Sequence, residues 1–150
     1  MLHCSRDHRL LENLSKRRQL SSIKPIGIWY SPLLPNNLSE WQVWCESTGY
    51  GTGEYLYEIV PDYAKVLIVE DLSSLENLFK TYTNSKCIDW SSVSRDYAGI
   101  EFRNFARLKQ DLVSVDLASK RWPLKLLVLS LDCNSGCIWH PNALKLNPLC

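Results

Sequence analysis

Two groups of residues in this chain carry side chains with chemistry to offer. The first joins an acid, an imidazole, flat rings and hydroxyls: Glu101, His3, Trp29, Tyr30, Ser5 and Ser31. Glu101 sits in Tyr97-Ala-Gly-Ile-Glu101-Phe102. On a strand, Ile100 and Phe102 point away from it, and the carboxylate is left on the opposite side. Such a carboxylate either faces solvent or stabilises positive charge developing beside it, a preorganised electrostatic effect that is often the largest catalytic contribution. His3 is either a solvated side chain or a donor to a ligand hydroxyl. Trp29 and Tyr30 are adjacent, so strand alternation sends one to the core and the other to a cleft, where it stacks on a flat ring. Ser31 completes a pocket or caps a strand end. The second group is Cys133-x3-Cys137-x2-His140, with Cys150 as a fourth ligand. Thiolates and imidazole suit zinc, but no Cys-x2-Cys pair accompanies them, and no metal is expected.

The elements that must position these residues are punctuated clearly. Leu2-His3-Cys4 reads as an edge strand, and Ser5 as the cap of a helix over Arg6–Lys16 with an apolar stripe at Leu10, Leu11 and Leu14. Lys24–Ser31 reads as a buried strand, held extended by Pro25 and stopped by Pro32. Ser39 caps a helix that carries Trp41, Trp44 and Cys45 on one face. Tyr55–Val60 and Lys65–Val69 read as a hairpin-like pair of strands across Pro61-Asp62. Asp71 or Ser73 caps a helix through about Tyr82; Ser73-x-x-Glu76 has the form of a capping box, and Leu75, Leu78, Phe79 and Tyr82 give its buried face. Asp89 opens a short helix to Asp96, and a strand through Glu101 follows. Phe105–Ala118 is a helix or a loop. Lys125–Leu131 reads as an apolar strand, Asp132–Gly136 as a turn, and Cys137-Ile138-Trp139 as a last short strand before a Pro-punctuated tail. The total is an α+β chain of one domain, residues 1–150, with small split β-sheets flanked by short helices.

Bulk properties exclude some classes. A formal net charge of +1 offers no electrostatic case for nucleic acid or an anionic membrane. No window approaches the run of about 20 apolar residues that spans a bilayer. Arg6, Asp7, His8 and Arg9 stand where a signal peptide carries its apolar stretch. A cytoplasmic, intracellular protein with reduced thiols is therefore expected.

Taken in order, these stretches resemble the ADP-ribosyltransferase fold, whose members hold NAD in a cleft between two small sheets. The likeness rests on four features: His3-Cys4-Ser5; Gly27-Ile28-Trp29-Tyr30-Ser31 ahead of a Trp-bearing helix; the strand, strand, helix order ending at Asp89-Trp90; and Tyr97-Ala-Gly-Ile-Glu101. The strings Lys24-Pro-Ile-Gly-Ile-Trp-Tyr-Ser31, Ile88-Asp-Trp90 and Asp132-Cys-Asn-Ser-Gly-Cys-Ile-Trp139 are also similar to a largely uncharacterised group that includes viral proteins. The resemblance implies NAD as substrate, with ADP-ribose transferred to a protein or nucleic-acid acceptor, or NAD cleaved. It implies Glu101, His3 and Tyr30 as the catalytic set. His3, Ser5, Trp29, Tyr30 and Ser31 would hold the dinucleotide, and Trp29 or Tyr30 would stack on nicotinamide.

Two rival readings stand beside it. Cys4, where the family carries glycine, and the 6 tryptophans and 7 tyrosines suit a non-catalytic interaction or structural protein, viral proteins included, that keeps the fold. A nucleic-acid binder requires Arg17, Arg18, Arg103, Arg107 and Lys109 to gather on one surface.

Overall fold

The computed structural model describes residues 1–5, 14, 18–53, 55–84 and 87–149. The helix expected over Arg6–Lys16 (Leu14 excepted), Arg17 of the basic set, and Cys150 of the thiol set lie outside the described residues.

Three small sheets carry the strands. The first contains β1 (Leu2–Ser5), β4 (Tyr55–Pro61) and β10 (Leu144–Leu149), in the order β1-β4-β10 and antiparallel throughout. The second is four-stranded: β3 (Ile28–Tyr30), β9 (Ser135–Ile138), β8 (Gly99–Phe102) and β5 (Val66–Val69) lie side by side in that order. Its pairs are antiparallel except β5 with β8, which run parallel. The third sheet is a short ribbon of β2 (Ser21–Ser22), β7 (Cys87–Asp89) and β6 (Thr83–Asn84). A bridge from Leu2 to Ser31 ties the first two sheets together at the end of β3.

Five α-helices are present among the described residues: α1 (Glu40–Thr48), α2 (Leu72–Tyr82), α3 (Trp90–Asp96), α4 (Phe105–Asp111) and α5 (Trp122–Leu129). Their capping follows local chemistry. Ser39 accepts from the Gln42 N–H while the Gln42 side chain accepts from the Ser39 N–H, a reciprocal capping box at the start of α1. On α2 the cap is Asp71, one of the two expected, and the box is made by Asp71 and Ser74, two residues before the expected Ser73–Glu76 pair. Asp71 carries the charge that suits a helix N-terminus.

Strand alternation divides the four-stranded sheet into two unlike faces. Ile100, Phe102 and Cys137, with Val69 of β5, point to one side, into a core with Leu75, Leu78, Trp90, Val93, Leu108, Leu124 and Leu127 from the helices. Ile28, Tyr30 and Ile138 point to the other, where Tyr57 and Ile59 of β4 meet them with Leu14 and Ala143. The result is helices over one face and a second sheet over the other. It is the α+β arrangement of split small sheets read from the sequence, with five helices.

Four local expectations are corrected. Lys125–Leu131 is not a strand: α5 covers most of it, with Leu124, Leu127 and Val128 buried at helical spacing. A continuous apolar run does not separate a buried strand from a buried helix, and Pro123 in the first turn is the helix signal. Tyr55–Pro61 and Val66–Val69 do not form a hairpin; a 3-10 turn at Tyr63–Lys65 sends them to different sheets. The tail contains a strand, β10, whose Pro148 is tolerated because β10 is an edge strand. Only Ile28–Tyr30 of Lys24–Ser31 is strand. Ahead of it, the buried Gln19 amide accepts from the Ile26 N–H at 3.0 Å and donates to the Ile26 carbonyl, as a neighbouring backbone would.

Candidate functional site

The site begins with a glycine. Gly136, expected in a turn, lies within β9 and is paired in register with Tyr30 on one side and Glu101 on the other. All three share the face turned toward the first sheet. Because position 136 has no side chain, the Tyr30 ring lies across it. A Cβ there would come within 2.1 Å of the ring's Cζ, so the ring and any other residue exclude each other. The Tyr30 hydroxyl thereby reaches over one whole strand and donates to Oε2 of Glu101 at 2.8 Å.

Glu101 is buried, with its side chain 6% exposed. Its other oxygen, Oε1, accepts from Nε of Arg103 at 2.7 Å. Arg103 stands two residues further along the same strand direction and therefore on the same face. It is 42% exposed, and its guanidinium lies 5.4 Å from the centre of the Tyr63 ring. Burial and the Glu101 charge push the phenols of Tyr30 and Tyr63 above their ordinary range. The hydrogen bond to Glu101 holds the Arg103 cation more firmly still.

Two pockets meet at this point. The first, about 180 Å³, is lined by His3, Cys4, Trp29, Tyr30, Ser31, Trp41, Cys133 and Ser135 with Leu2. The second, about 280 Å³, is lined by Glu101, Arg103, Tyr63, Asn104, Asn134 and Ser135, and again by Tyr30. Tyr30 and Ser135 are thus the wall between them. The acid, the imidazole and the ring do not share one hollow; they occupy two adjoining ones.

His3 enters the first pocket from β1. Its Nδ1 makes a hydrogen bond with the Trp29 carbonyl. A carbonyl can only accept, so Nδ1 carries the proton. Burial lowers the imidazole pKa, which leaves Nε2 as an acceptor with no proton to give. Nε2 is itself buried and has no hydrogen-bond partner among the described residues. The expectation of a histidine donor toward a ligand is corrected on this point: its one proton is spent on the backbone.

Trp41 reaches the same pocket because the start of α1 is pinned at two points. The Ser31 hydroxyl accepts from the Trp41 N–H at 3.2 Å, so Ser31 lines the pocket while capping α1. The Glu40 carboxylate accepts from the Asn134 N–H at 3.0 Å and from its side-chain amide at 2.9 Å. Asn134 in turn accepts from the Phe105 N–H at 2.8 Å, which binds α1, the β9 turn and α4 together beside Ser135 and Gly136. Trp41 stacks on Trp44 at 4.8 Å, and Tyr50 packs against both rings to complete an aromatic trio.

Both Trp29 and Tyr30 line the first pocket, although their side chains belong to opposite cores. Ser5 pairs with Tyr55 at the far end of β1 and is not among the residues that line either pocket. Cys137 lies in the helical core, and no cluster of metal-ligating side chains exists among the described residues. Sequence reasoning missed Arg103, Tyr63, Gly136 and Asn134. The i, i+2 spacing of Glu101 and Arg103 was a usable signal. The other three depend on strand register and loop packing, which leave no trace in spacing.

No protein-family model, curated protein or solved structure matches the chain. No helix among the described residues is long and apolar enough to cross a membrane.

Proposed function

We propose that this protein is ADP-ribosyltransferase-like, binding NAD and either transferring its ADP-ribose to a protein or nucleic-acid acceptor or hydrolysing it. The observation that carries this reading is the buried Glu101 carboxylate, oriented by the Tyr30 hydroxyl beside a ring-sized pocket. A volume of about 180 Å³ is below the ~300 Å³ at which pockets take whole drug-sized ligands. It suits a single heteroaromatic ring such as nicotinamide, set against Trp29 or Trp41, with the rest of the dinucleotide running past Tyr30 and Ser135.

In the reaction, the bond between ribose C1′ and the pyridinium nitrogen breaks, and its electron pair leaves with neutral nicotinamide. The ribose becomes an oxocarbenium-like cation. Glu101 is the one acid among the described residues that lines the second pocket, and it stabilises that charge while accepting from a ribose hydroxyl. Water or the acceptor nucleophile then bonds to C1′ and loses a proton. The unpartnered Nε2 of His3 is an acceptor that a hydroxyl on the ligand would satisfy.

Titration with NAD, followed by tryptophan fluorescence and by nicotinamide release, tests the reading. Quenching at Trp29 and Trp41, with release abolished in Glu101→Gln, supports it. No binding and no release in the wild-type protein overturn it.

A second reading keeps the fold without the chemistry. Its support is that both oxygens of Glu101 are already engaged, and that α5 exposes Leu126 and Leu129 at 37% and 49%. A folded wild-type protein that binds neither NAD nor nicotinamide favours this reading.

A further inference from the structure

The second pocket holds a contradiction that points to its ligand. A carboxylate meant to face a developing cation is covered by a cation of its own, Arg103. The two partners are unequally fixed. Glu101 is nearly sealed in the sheet, whereas 42% of the Arg103 side chain is open to solvent. Arg103 is therefore the partner that can leave. A guanidinium offers five N–H donors, and Arg103 gives Glu101 its Nε alone. Its outer nitrogens stand beside Tyr63 in a pocket of about 280 Å³. The two asparagines of the lining are tied to neighbouring loops. The Asn104 amide donates to the Glu70 carbonyl, and both ends of the Asn134 amide are used. Arg103 is thus the cationic side chain of this lining, with N–H groups beyond the one it gives to Glu101.

We infer that Arg103 is the anion-docking residue of this pocket and takes the diphosphate of a dinucleotide substrate, leaving Oε1 of Glu101 for the ribose hydroxyl. This rests on the NAD reading above and deepens it. A diphosphate presents two negative groups and several oxygens to the fork of a guanidinium, which binds phosphate bidentately. A single carboxylate oxygen on Nε competes poorly with that. The site pairs its acid with a cation in the free protein, where an uncompensated buried carboxylate is costly. Substrate itself then removes the cation. Tyr30 stays on Oε2 throughout and keeps the carboxylate aimed.

The test uses inorganic pyrophosphate, ADP-ribose and nicotinamide as separate probes on the wild-type protein, Arg103→Gln and Arg103→Lys. The expected result is that Arg103→Gln weakens pyrophosphate and ADP-ribose binding about 10- to 100-fold, the worth of a charge-assisted hydrogen bond. Nicotinamide binding should be unchanged, and lysine should restore part of the loss. In parallel, the Nε–H resonance of Arg103 should move when pyrophosphate is added to the wild-type protein. Equal weakening of all three probes means that Arg103 only supports the fold, and it overturns the inference. So does a wild-type protein that binds nicotinamide but neither anion; the NAD reading survives that result. Failure of all three probes in wild type removes both proposals together.

Discussion

The two faces of the four-stranded sheet are made by alternate residues of the same strands, yet they are built on opposite principles. On the helix side, Ile100, Phe102 and Cys137 interlock with the helical core and are fully buried. On the other side, β8 and β9 with the neighbouring β3 present Glu101, Gly136 and Tyr30, with a carboxylate, a missing side chain and a phenol where a core would carry three hydrocarbons. The apolar face supplies stability through dense packing. The polar face spends some of it to hold a charged group away from water, and it can do so because β8 is anchored from behind.

That contrast makes five predictions, given from the largest effect to the smallest. Phe102→Ala empties a site with no exposure and should cost about 3–5 kcal/mol in urea unfolding. Tyr30→Phe deletes a buried donor to a charged acceptor and should cost about 1.5–3 kcal/mol. It changes no core volume, so a cost near zero would mean that Glu101 has no need of the phenol. Gly136→Ala should cost about 1–3 kcal/mol through overpacking. Its Cβ displaces the Tyr30 ring, so the effect should shrink when it is combined with Tyr30→Ala, and simple additivity would break the proposed contact.

The fourth prediction concerns alkaline pH. The Tyr30 and Tyr63 phenols are raised in the fold, so the folded chain keeps protons that the unfolded chain releases above about pH 10. Their stabilising contribution is whole below that pH and is lost as pH climbs through it. The buried thiols of Cys45 and Cys133 and the half-buried thiol of Cys4 act in the same direction from about pH 8.5. Urea midpoints should therefore fall steadily from pH 8 to 11, and Tyr30→Phe should flatten only the upper part of that range. The fifth, and smallest, is its acid counterpart. His3 has a lowered pKa, so its contribution is present above about pH 6.5 and lost below it. His3→Gln should remove the part of the decline between pH 7 and 5, while the acids with depressed pKa, Asp62, Asp71 and Asp89, act lower still.

The two pockets differ in the same spirit. The first is walled by rings and thiols, and most of its lining comes from two short continuous stretches, Leu2 to Cys4 and Trp29 to Ser31. The second depends on contacts between residues far apart, Tyr30 with Glu101 and Asn134 with Glu40. This is why the first was largely legible in advance through His3, Trp29, Tyr30 and Ser31, and the second only through Glu101. Where prediction failed on an element, the cause was equally specific. The run Lys125–Leu131 is apolar all round, so it carries no period to separate helix from strand, and the outcome was decided by a core that wanted Leu124, Leu127 and Val128 on one side. Ser5 was grouped with the site through the His3-Cys4-Ser5 resemblance, and β1 pairs it with Tyr55, away from the residues that line the two pockets.

By itself, the sequence determined the local elements that caps, prolines and alternation enforce: the starts of α1 and α2, the placing of Glu101 opposite Ile100 and Phe102, and a mixed α+β class. These are short-range effects, settled within a few residues. Only the tertiary structure decided that Gly136 lies between Tyr30 and Glu101, that Arg103 covers the acid, and that His3 spends its proton on Trp29. Those outcomes depend on strand register, and register is fixed by the summed packing of two whole faces, which no short stretch of the chain encodes.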